Sequence, residues 1–243
     1  MDWLWPLLAA PFIGSFLAVL IRRLPRGGLL TPARSSCEAC GAPIGLRDLV
    51  PLLSALLLRG RCRACQAPIP PQHWHVEAAA ILVPASALLC GTAAAELWPL
   101  CLLGWCLLAL AWIDWDWLLL PDLLTLPLVL AGLAATWARD PFDVTDHAIA
   151  AATGYAALQL LALGYRRLRG REGIGAGDAK LLAAIGAWTG LAALPWVIMG
   201  GALAGLALAG MLLLRGRDVG GGTALPFGTC LALAGWAAAL AMT

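Results

Sequence analysis

The feature that most constrains this sequence is a series of long apolar segments repeated along almost the whole chain. Hydrophobic residues make up 61% of the 243 residues and charged residues only 12%, whereas about a quarter of the residues in a soluble domain are charged. Only helices and closed barrels satisfy all backbone hydrogen bonds within a bilayer, and about 20 apolar residues span it as a helix. The sequence therefore predicts an all-α, polytopic membrane bundle. The net charge of +2 is too small to indicate nucleic-acid binding.

Eight apolar segments are candidate transmembrane helices. In chain order they are 4–21, 76–94, 97–113, 118–138, 147–165, 179–191, 193–214 and 225–242. The segment 179–191 is short for a hydrocarbon core of about 30 Å. It is either a half-span or a tilted helix sheltered by its neighbours, so seven spans is the alternative count.

The basic residues predict the orientation of the bundle. Arg22, Arg23 and Arg26 follow the first apolar segment, and no basic residue precedes it. A cleavable signal peptide has the opposite charge order, and cytoplasmic loops of membrane proteins are enriched in Lys and Arg. We therefore expect an inner-membrane protein with its N-terminus outside, in which only Arg139 of the 16 basic residues lies on the outer side. The cytoplasmic loops are then 22–75, 114–117, 166–178 and 215–224.

Four of the eight cysteines form two C-x-x-C pairs in the long loop 23–75. Cys37 and Cys40 form the first pair, and Cys62 and Cys65 form the second. Each pair can supply half of a tetrahedral thiolate cage, and the reducing cytoplasm disfavours disulfides. The sequence therefore predicts a structural zinc site with these four ligands in a small cytoplasmic loop domain. Redox-active or incidental pairs are the alternative.

The three histidines suggest no further metal site. His73 and His75 flank Trp74 before the second segment and are interpreted as interfacial residues. His147 begins a segment on the outer side, and the sequence offers it no partner.

Two places combine carboxylates with the ends of apolar segments. Asp114 and Asp116 follow one segment, and Asp178 precedes another after a run of glycines that permit close approach of another main chain. The predicted topology places Asp114 and Asp178 at the cytoplasmic membrane face from opposite directions. Two close carboxyls that share a proton can activate water and protonate a scissile carbonyl.

Each of these carboxylates also has a simpler explanation. Asp178 alone is more typical of a helix cap, Asp116 can face interfacial water, and Asp122 suits the first turn of a helix. Intramembrane carboxylates also occur in proton-coupled transporters, which are the alternative from another functional class. Position along the chain does not choose between Asp114 and Asp116.

Glycines spaced four residues apart occur in the last third of the chain. Gly186 and Gly190 form one G-x-x-x-G pair, and Gly201 and Gly205 form another. Such pairs let membrane helices approach closely. We expect them to pack helices within the chain, and they indicate no particular oligomeric state.

Six segments in the same order resemble the type IV prepilin peptidase family of G-x-G-D aspartyl peptidases. They are GSFLAVLIRRLPR at 14–26, DLVPLLSALLLRGRCRAC at 48–65, Val76-Glu77, IDWDWLLLPDLLTLPL at 113–128, GAGDAKLLAAIGAWTG at 175–190 and LPFGTCLALAG at 225–235. The resemblance implies catalytic residues Asp114, seven residues before Pro121, and Asp178. It implies cleavage of type IV prepilins or type II secretion pseudopilins at the cytoplasmic membrane face.

The resemblance also implies that S-adenosylmethionine methylates the new N-terminus. Its organisation would be a first transmembrane helix over 1–22, a methyltransferase-associated zinc-binding loop over 23–75 and a membrane-embedded peptidase domain over 76–243. Three departures lie in the methyltransferase-associated part: Ala18 and Leu49 replace polar residues, and His73-Trp74-His75 replaces R-Y-P. A peptidase without methyltransferase activity is therefore the alternative within the family, and the sequence does not identify the S-adenosylmethionine-binding residues.

Overall fold

The structure is a computed structural model that describes residues 3–27, 36–37, 39–45, 48, 50–170, 173, 175–217, 220 and 223–242. Within these ranges the chain is helical, and its extended pairs are two isolated bridges in the cysteine loop. The helices are α1 (Leu4–Arg23), α2 (Leu53–Leu57), α3 (Gln72–Leu89), α4 (Ala94–Trp117), α5 (Asp122–Arg139), α6 (Val144–Arg169), α7 (Ala176–Thr189), α8 (Leu194–Leu214) and α9 (Phe227–Ala241). The all-α prediction is confirmed for the described residues.

Five helices in the described ranges are long and apolar enough to cross a membrane. They are α1, α4, α5, α6 and α8, two of which are extended by short 3-10 turns. The other three long helices, α3, α7 and α9, coincide with the remaining predicted segments. Among them, α7 and α9 have only 14 and 15 residues. The five candidate spans agree with the predicted membrane bundle, while the count of eight spans and their orientation stay predictions.

Two predicted features need correction. The loop expected at 114–117 is the last turn of α4, and the break between α4 and α5 lies at 118–121. Leu118 has a positive φ of 52° there and Pro121 is extended, so the chain turns at these residues instead of at Asp114. His147 does have partners: its Nδ1 atom lies 3.2 Å from Thr136 Oγ1 and 3.0 Å from the Ala187 carbonyl oxygen.

The chain divides into two compact units, Met1–Trp105 and Cys106–Thr243. In the first unit, α1 packs against α3 at Gly14, where a Cβ atom would lie 2.6 Å from the Glu77 Cα atom. The indole of Trp105 donates a hydrogen bond of 2.9 Å to the Ala80 carbonyl and joins the middle of α4 to α3. Leu49, together with the predicted cytoplasmic residues Arg34, Arg47 and Arg171, lies outside the described residues.

The centre of the second unit is α7, which packs against α5, α6 and α9. Most of its residues are buried, including Leu181, Leu182 and Ile185. Its 14 residues extend about 21 Å at about 1.5 Å per residue. The expectation of a short helix sheltered by its neighbours is therefore confirmed.

The spaced glycines pack helices within this unit. A Cβ atom on Gly186 would lie 2.8 Å from the Ala150 carbonyl oxygen of α6, and one on Gly201 would lie 3.2 Å from Leu231 of α9. Gly190 has a φ of +72° and ends α7 beside Asp146. These contacts agree with the intrachain role expected from the sequence.

Candidate active site and metal centre

Asp114 lies in the last turn of α4 against the first turn of α9. The residue is only 5% exposed. Its Oδ2 atom accepts a hydrogen bond of 2.7 Å from the Thr229 backbone N–H, and the Thr229 hydroxyl lies 3.2 Å from the same oxygen. Thr229 is the third residue of α9, where backbone N–H groups have no carbonyl partner within the helix. Asp116, two residues along α4, is exposed.

Asp178 lies in the first turn of α7 and is 7% exposed. Its Oδ2 atom accepts a hydrogen bond of 3.2 Å from the backbone N–H of Gly175, the residue that precedes the helix. The capping explanation from the sequence therefore describes a real contact, although Asp178 occupies the third helical position instead of the cap position. A cap that is this buried is unusual, because charged groups are mostly exposed unless paired.

Asp114, Asp178 and the Cys230 thiol on α9 lie within electrostatic range of one another. Leu120 packs beside them, because Cβ atoms on Gly177 and Gly228 would each lie 2.8 Å from its side chain. The glycines thus let the starts of α7 and α9 approach the segment that follows α4. This arrangement brings two buried acids to opposite sides of one side chain, Leu120.

A salt bridge joins α5 to α7 near Asp178. Lys180 Nζ lies 2.5 Å from Asp122 Oδ1, and the Asp122 side chain is 55% exposed. Asp122 is the first residue of α5, as the sequence predicted. Asp122 therefore places negative charge in the first turn of α5 and forms the ion pair with Lys180.

The four predicted metal ligands lie together in the first unit. Their sulfur atoms all fall within 4.8 Å of one another, and the Sγ atoms of Cys37 and Cys65 are 3.8 Å apart. A tetrahedral zinc site with bonds of about 2.3 Å requires sulfur atoms about 3.8 Å apart. The four thiols are free of disulfides. This donor set therefore fits a zinc ion.

The two C-x-x-C segments fold in the same way. The N–H of Cys37 donates to Ala42 and the N–H of Cys62 donates to Ala67, both at 2.9 Å. The N–H groups of Cys40 and Ala39 lower the pKa of the Cys37 thiol to about 6. The Ala67 N–H lowers the pKa of Cys65, but the neighbouring thiols and burial raise it to about 12, so metal binding must displace protons from this cluster. Two similar turns therefore present their sulfurs to one point.

An ion pair braces the second cysteine turn. Arg63 binds both carboxylate oxygens of Asp48, with contacts of 2.7 to 3.1 Å. Its hydrogen bonds hold the pKa of Asp48 below the usual range. The pair is bidentate, a geometry in which arginine recognises carboxylates most specifically.

Comparison with known proteins assigns the family. Residues 8–90 match the Bacterial Peptidase A24 N-terminal domain, and residues 101–210 match the Type IV leader peptidase family. A relative from Aeromonas hydrophila named prepilin leader peptidase/N-methyltransferase is 40% identical, with 99% of this chain and 92% of that protein aligned. The chain belongs to the type IV leader peptidase family.

Relatives with the same name confirm the assignment. One from Aeromonas salmonicida is 39% identical and covers 99% of this chain and 92% of its own length. Another from Pseudomonas aeruginosa is 37% identical, with 96% of this chain and 88% of that protein aligned. No solved structure matches the chain. The family resemblance predicted from the sequence is confirmed, and the chain is a peptidase of this family.

In this member of the family, the first unit also contains a large cavity of about 1110 Å³. Glu77 lies in its wall, is 7% exposed and accepts a hydrogen bond of 2.7 Å from the Leu52 backbone N–H. Trp74, Arg22 and His73 also line the cavity, and Arg22 Nη1 lies 3.0 Å from His73 Nε2. The polar groups therefore include the buried Glu77 carboxyl and the Arg22 guanidinium.

Sequence reasoning did not identify the roles of Thr229, Cys230, Leu120 or Glu77. Each was visible only as part of a family motif, in LPFGTC, LLLPD or Val76-Glu77. Thr229 meets Asp114 across 115 positions of the chain. No local pattern predicts such a contact, although the family motif that contains Thr229 could have marked it for attention.

Proposed function

We propose that the chain cleaves the leader peptide of type IV prepilins or type II secretion pseudopilins, with Asp114 and Asp178 as the catalytic pair. The observation that carries this proposal is the convergence of two buried, interacting carboxylates at the ends of α4 and α7. The prepilin specificity follows the name of the relatives from Aeromonas and Pseudomonas.

The proposed reaction uses one ionised and one protonated carboxyl. The ionised carboxyl removes a proton from water as the water oxygen bonds to the scissile carbonyl carbon, and the other carboxyl protonates the carbonyl oxygen. The first carboxyl then gives its proton to the amide nitrogen as the C–N bond breaks. The second recovers a proton from a hydroxyl of the intermediate, so both carboxyls return to their starting states.

We infer that this site lies at the cytoplasmic face of the bacterial inner membrane. The support comes from the five helices of the described residues that are long and apolar enough to cross a membrane, and from the basic residues after the first of them, which predict that the N-terminus lies outside. A substrate whose apolar helix lies in the bilayer could then present the junction with its leader to Asp114 and Asp178. Membrane lipid is thus a necessary partner.

The direct test uses single amide variants in detergent with a prepilin substrate. Asp114→Asn and Asp178→Asn should each lower kcat/KM at least ~10³-fold, because amides cannot exchange the required protons. Asp116→Asn is the matched control and should keep most activity, since Asp116 is exposed. Wild-type cleavage by either Asp114→Asn or Asp178→Asn would refute the assignment.

We infer that Cys37, Cys40, Cys62 and Cys65 hold a structural zinc ion that organises segment 23–75. The matching sulfur separations and the two similar turns support this inference. The loop has few buried apolar residues in its described part, so a metal would supply much of its stability. On this proposal the chain keeps the three-part organisation predicted from the sequence.

We also propose that the chain methylates the new N-terminus of its product. The names of the relatives and the cavity in the first unit support this activity. Bound there, S-adenosylmethionine would supply the methyl group. Glu77 would offset its positive charge, Arg22 would bind its carboxylate and Trp74 would pack on its adenine. Pockets for drug-sized ligands have volumes of about 300–1000 Å³, so a cavity of about 1110 Å³ has room for this molecule.

Intact-mass analysis of the mature substrate, with and without S-adenosylmethionine, tests cleavage and methylation together. Glu77→Gln separates the binding step, because glutamine keeps an acceptor for the Leu52 N–H and loses only the charge. We expect weaker S-adenosylmethionine binding by equilibrium dialysis and unchanged cleavage. An unmethylated product from the wild-type enzyme would favour the peptidase that lacks methyltransferase activity.

A further inference from the structure

The two carboxylates of the proposed pair are held unequally. Asp114 Oδ2 receives the Thr229 N–H at 2.7 Å and faces the Thr229 hydroxyl at 3.2 Å. Asp178 Oδ2 receives a single backbone N–H, from Gly175, at 3.2 Å. Hydrogen bonds from fixed donors stabilise a carboxylate more than a carboxylic acid. The hydrogen bonds therefore favour negative charge on Asp114.

Helix dipoles do not reverse this preference. Asp178 lies in the first turn of α7, while Asp114 touches the first turn of α9 but itself belongs to the last turn of α4. The N-terminus of α7 stabilises negative charge on Asp178, and the N-terminus of α9 stabilises negative charge on Asp114 to a similar extent. The C-terminus of α4 disfavours negative charge on Asp114. A short charge-assisted hydrogen bond outweighs the effect of one helix terminus. The balance still favours an ionised Asp114.

The Thr229 hydroxyl donates its hydrogen bond to a backbone carbonyl of α4. It lies 2.8 Å from the Ala111 carbonyl oxygen, closer than to Asp114, and it has one proton to donate. Its stronger hydrogen bond therefore fastens α9 to the turn of α4 that carries Asp114. The backbone N–H acts on the charge of Asp114, and the hydroxyl fixes its position.

We propose that Thr229 is a positioning residue that keeps Asp114 as the ionised member of the pair, so that Asp114 is the base toward water and Asp178 carries the proton. The inference rests on the proposed peptidase function. Among the described residues, the titratable groups within electrostatic range of Asp114 from neighbouring helices are Asp178 on α7 and Cys230 on α9. Lys180 on α7 is engaged with Asp122 on α5.

The N–H can be deleted without breaking the helix. As the third residue of α9, Thr229 has an N–H that no carbonyl of α9 accepts, and proline is tolerated in a first turn. Gly228 precedes it and lacks the Cβ atom that usually clashes with a following proline ring. Thr229→Pro therefore removes the N–H and the hydroxyl, while Thr229→Val removes only the hydroxyl and keeps the branched shape.

The experiment compares the pH dependence of kcat/KM for these two variants with a prepilin substrate. Without the N–H, Asp114 should ionise at higher pH, so the acid limb of Thr229→Pro should move upward by about one pH unit relative to Thr229→Val. Thr229→Ser, which keeps both donors, should reproduce the wild-type profile. Coincident acid limbs for the proline and valine variants would overturn the proposal.

Two further measurements keep the outcomes separate. If Thr229→Pro loses its cooperative melting transition in detergent, an ester in place of the 228–229 peptide bond removes the same N–H and keeps the threonine side chain. The ester must then show the upward shift, and an unshifted profile refutes the inference. If Asp114→Asn retains activity, the assignment of Asp114 to the catalytic pair is refuted. If Asp114→Asn is inactive but the acid limb of Thr229→Pro does not shift, only the role of Thr229 is refuted.

Discussion

Gly228→Ala tests the close packing of α9 against the proposed site. A Cβ atom at position 228 would lie 3.0 Å from the Cγ and Oδ2 atoms of Asp114 and 2.8 Å from the Leu120 Cδ1 atom. Non-bonded carbon atoms prefer about 3.5–4.0 Å, so Asp114 must move by a few tenths of an ångström and Leu120 by more. Leu120 can change rotamer, but Asp114 is held by the Thr229 N–H.

The displacement predicts a loss of activity larger than the loss of stability. Misplacement of a catalytic group by about 1 Å costs about 10²-fold, so a shift of about half that size should lower kcat about 10-fold. Overpacking of this kind costs about 1–3 kcal/mol, offset in part by the better helix propensity of alanine, about 1 kcal/mol. The assay is prepilin cleavage under saturating substrate, together with thermal unfolding in detergent.

The controls separate the two contacts. Gly205→Ala places its Cβ atom 3.8 Å from Phe227, an ordinary contact, and should keep wild-type kcat. Adding Leu120→Val to Gly228→Ala relieves the contact with leucine but not the one with Asp114, so activity should stay low. A Gly228→Ala enzyme with wild-type kcat and unfolding temperature would refute this account of the packing.

Two other predictions concern the framework of each unit. Gly186→Ala should destabilise the protein by about 1–3 kcal/mol, because its Cβ atom would lie 2.8 Å from the Ala150 carbonyl oxygen of α6; Gly164→Ala, with no neighbour within 4 Å, should be neutral or stabilising by thermal unfolding in detergent. Metal analysis should find about one zinc per chain. Cys62→Ser should lower this zinc content and increase proteolysis within 23–75. An unchanged zinc content in Cys62→Ser would contradict the four-cysteine site.

The helices were largely predictable from the sequence because bilayer burial imposes long apolar segments. The predicted helix ends were wrong where a polar residue does not mark the true end of the helix. Asp114 and Asp116 interrupt the apolar pattern, yet α4 continues to Trp117 and turns at Leu118. The extent of α7 was close to the prediction, 176–189 against 179–191, because glycines mark both of its ends.

The candidate site was only partly predictable, for a different reason. The cysteine pairs have a spacing that metal geometry requires, so their convergence followed from local sequence. Asp114 and Asp178 needed the family resemblance, since a carboxylate at a helix end is usually a cap. Every residue except proline has a backbone N–H, so the identity of residue 229 does not reveal a contact with Asp114. The contact depends on the packing of α9, which brings the Thr229 N–H to the Asp114 carboxylate.

The shortness of α7 and α9 has a consequence for the surrounding lipid. At about 1.5 Å per residue, their 14 and 15 residues reach about 21 and 22 Å, less than the hydrocarbon thickness of about 30 Å. A bilayer next to short helices thins locally or leaves their ends to be covered by neighbouring protein. Because neighbouring helices bury most of α7, we expect acyl-chain length to affect the enzyme mainly through α9, which carries Thr229.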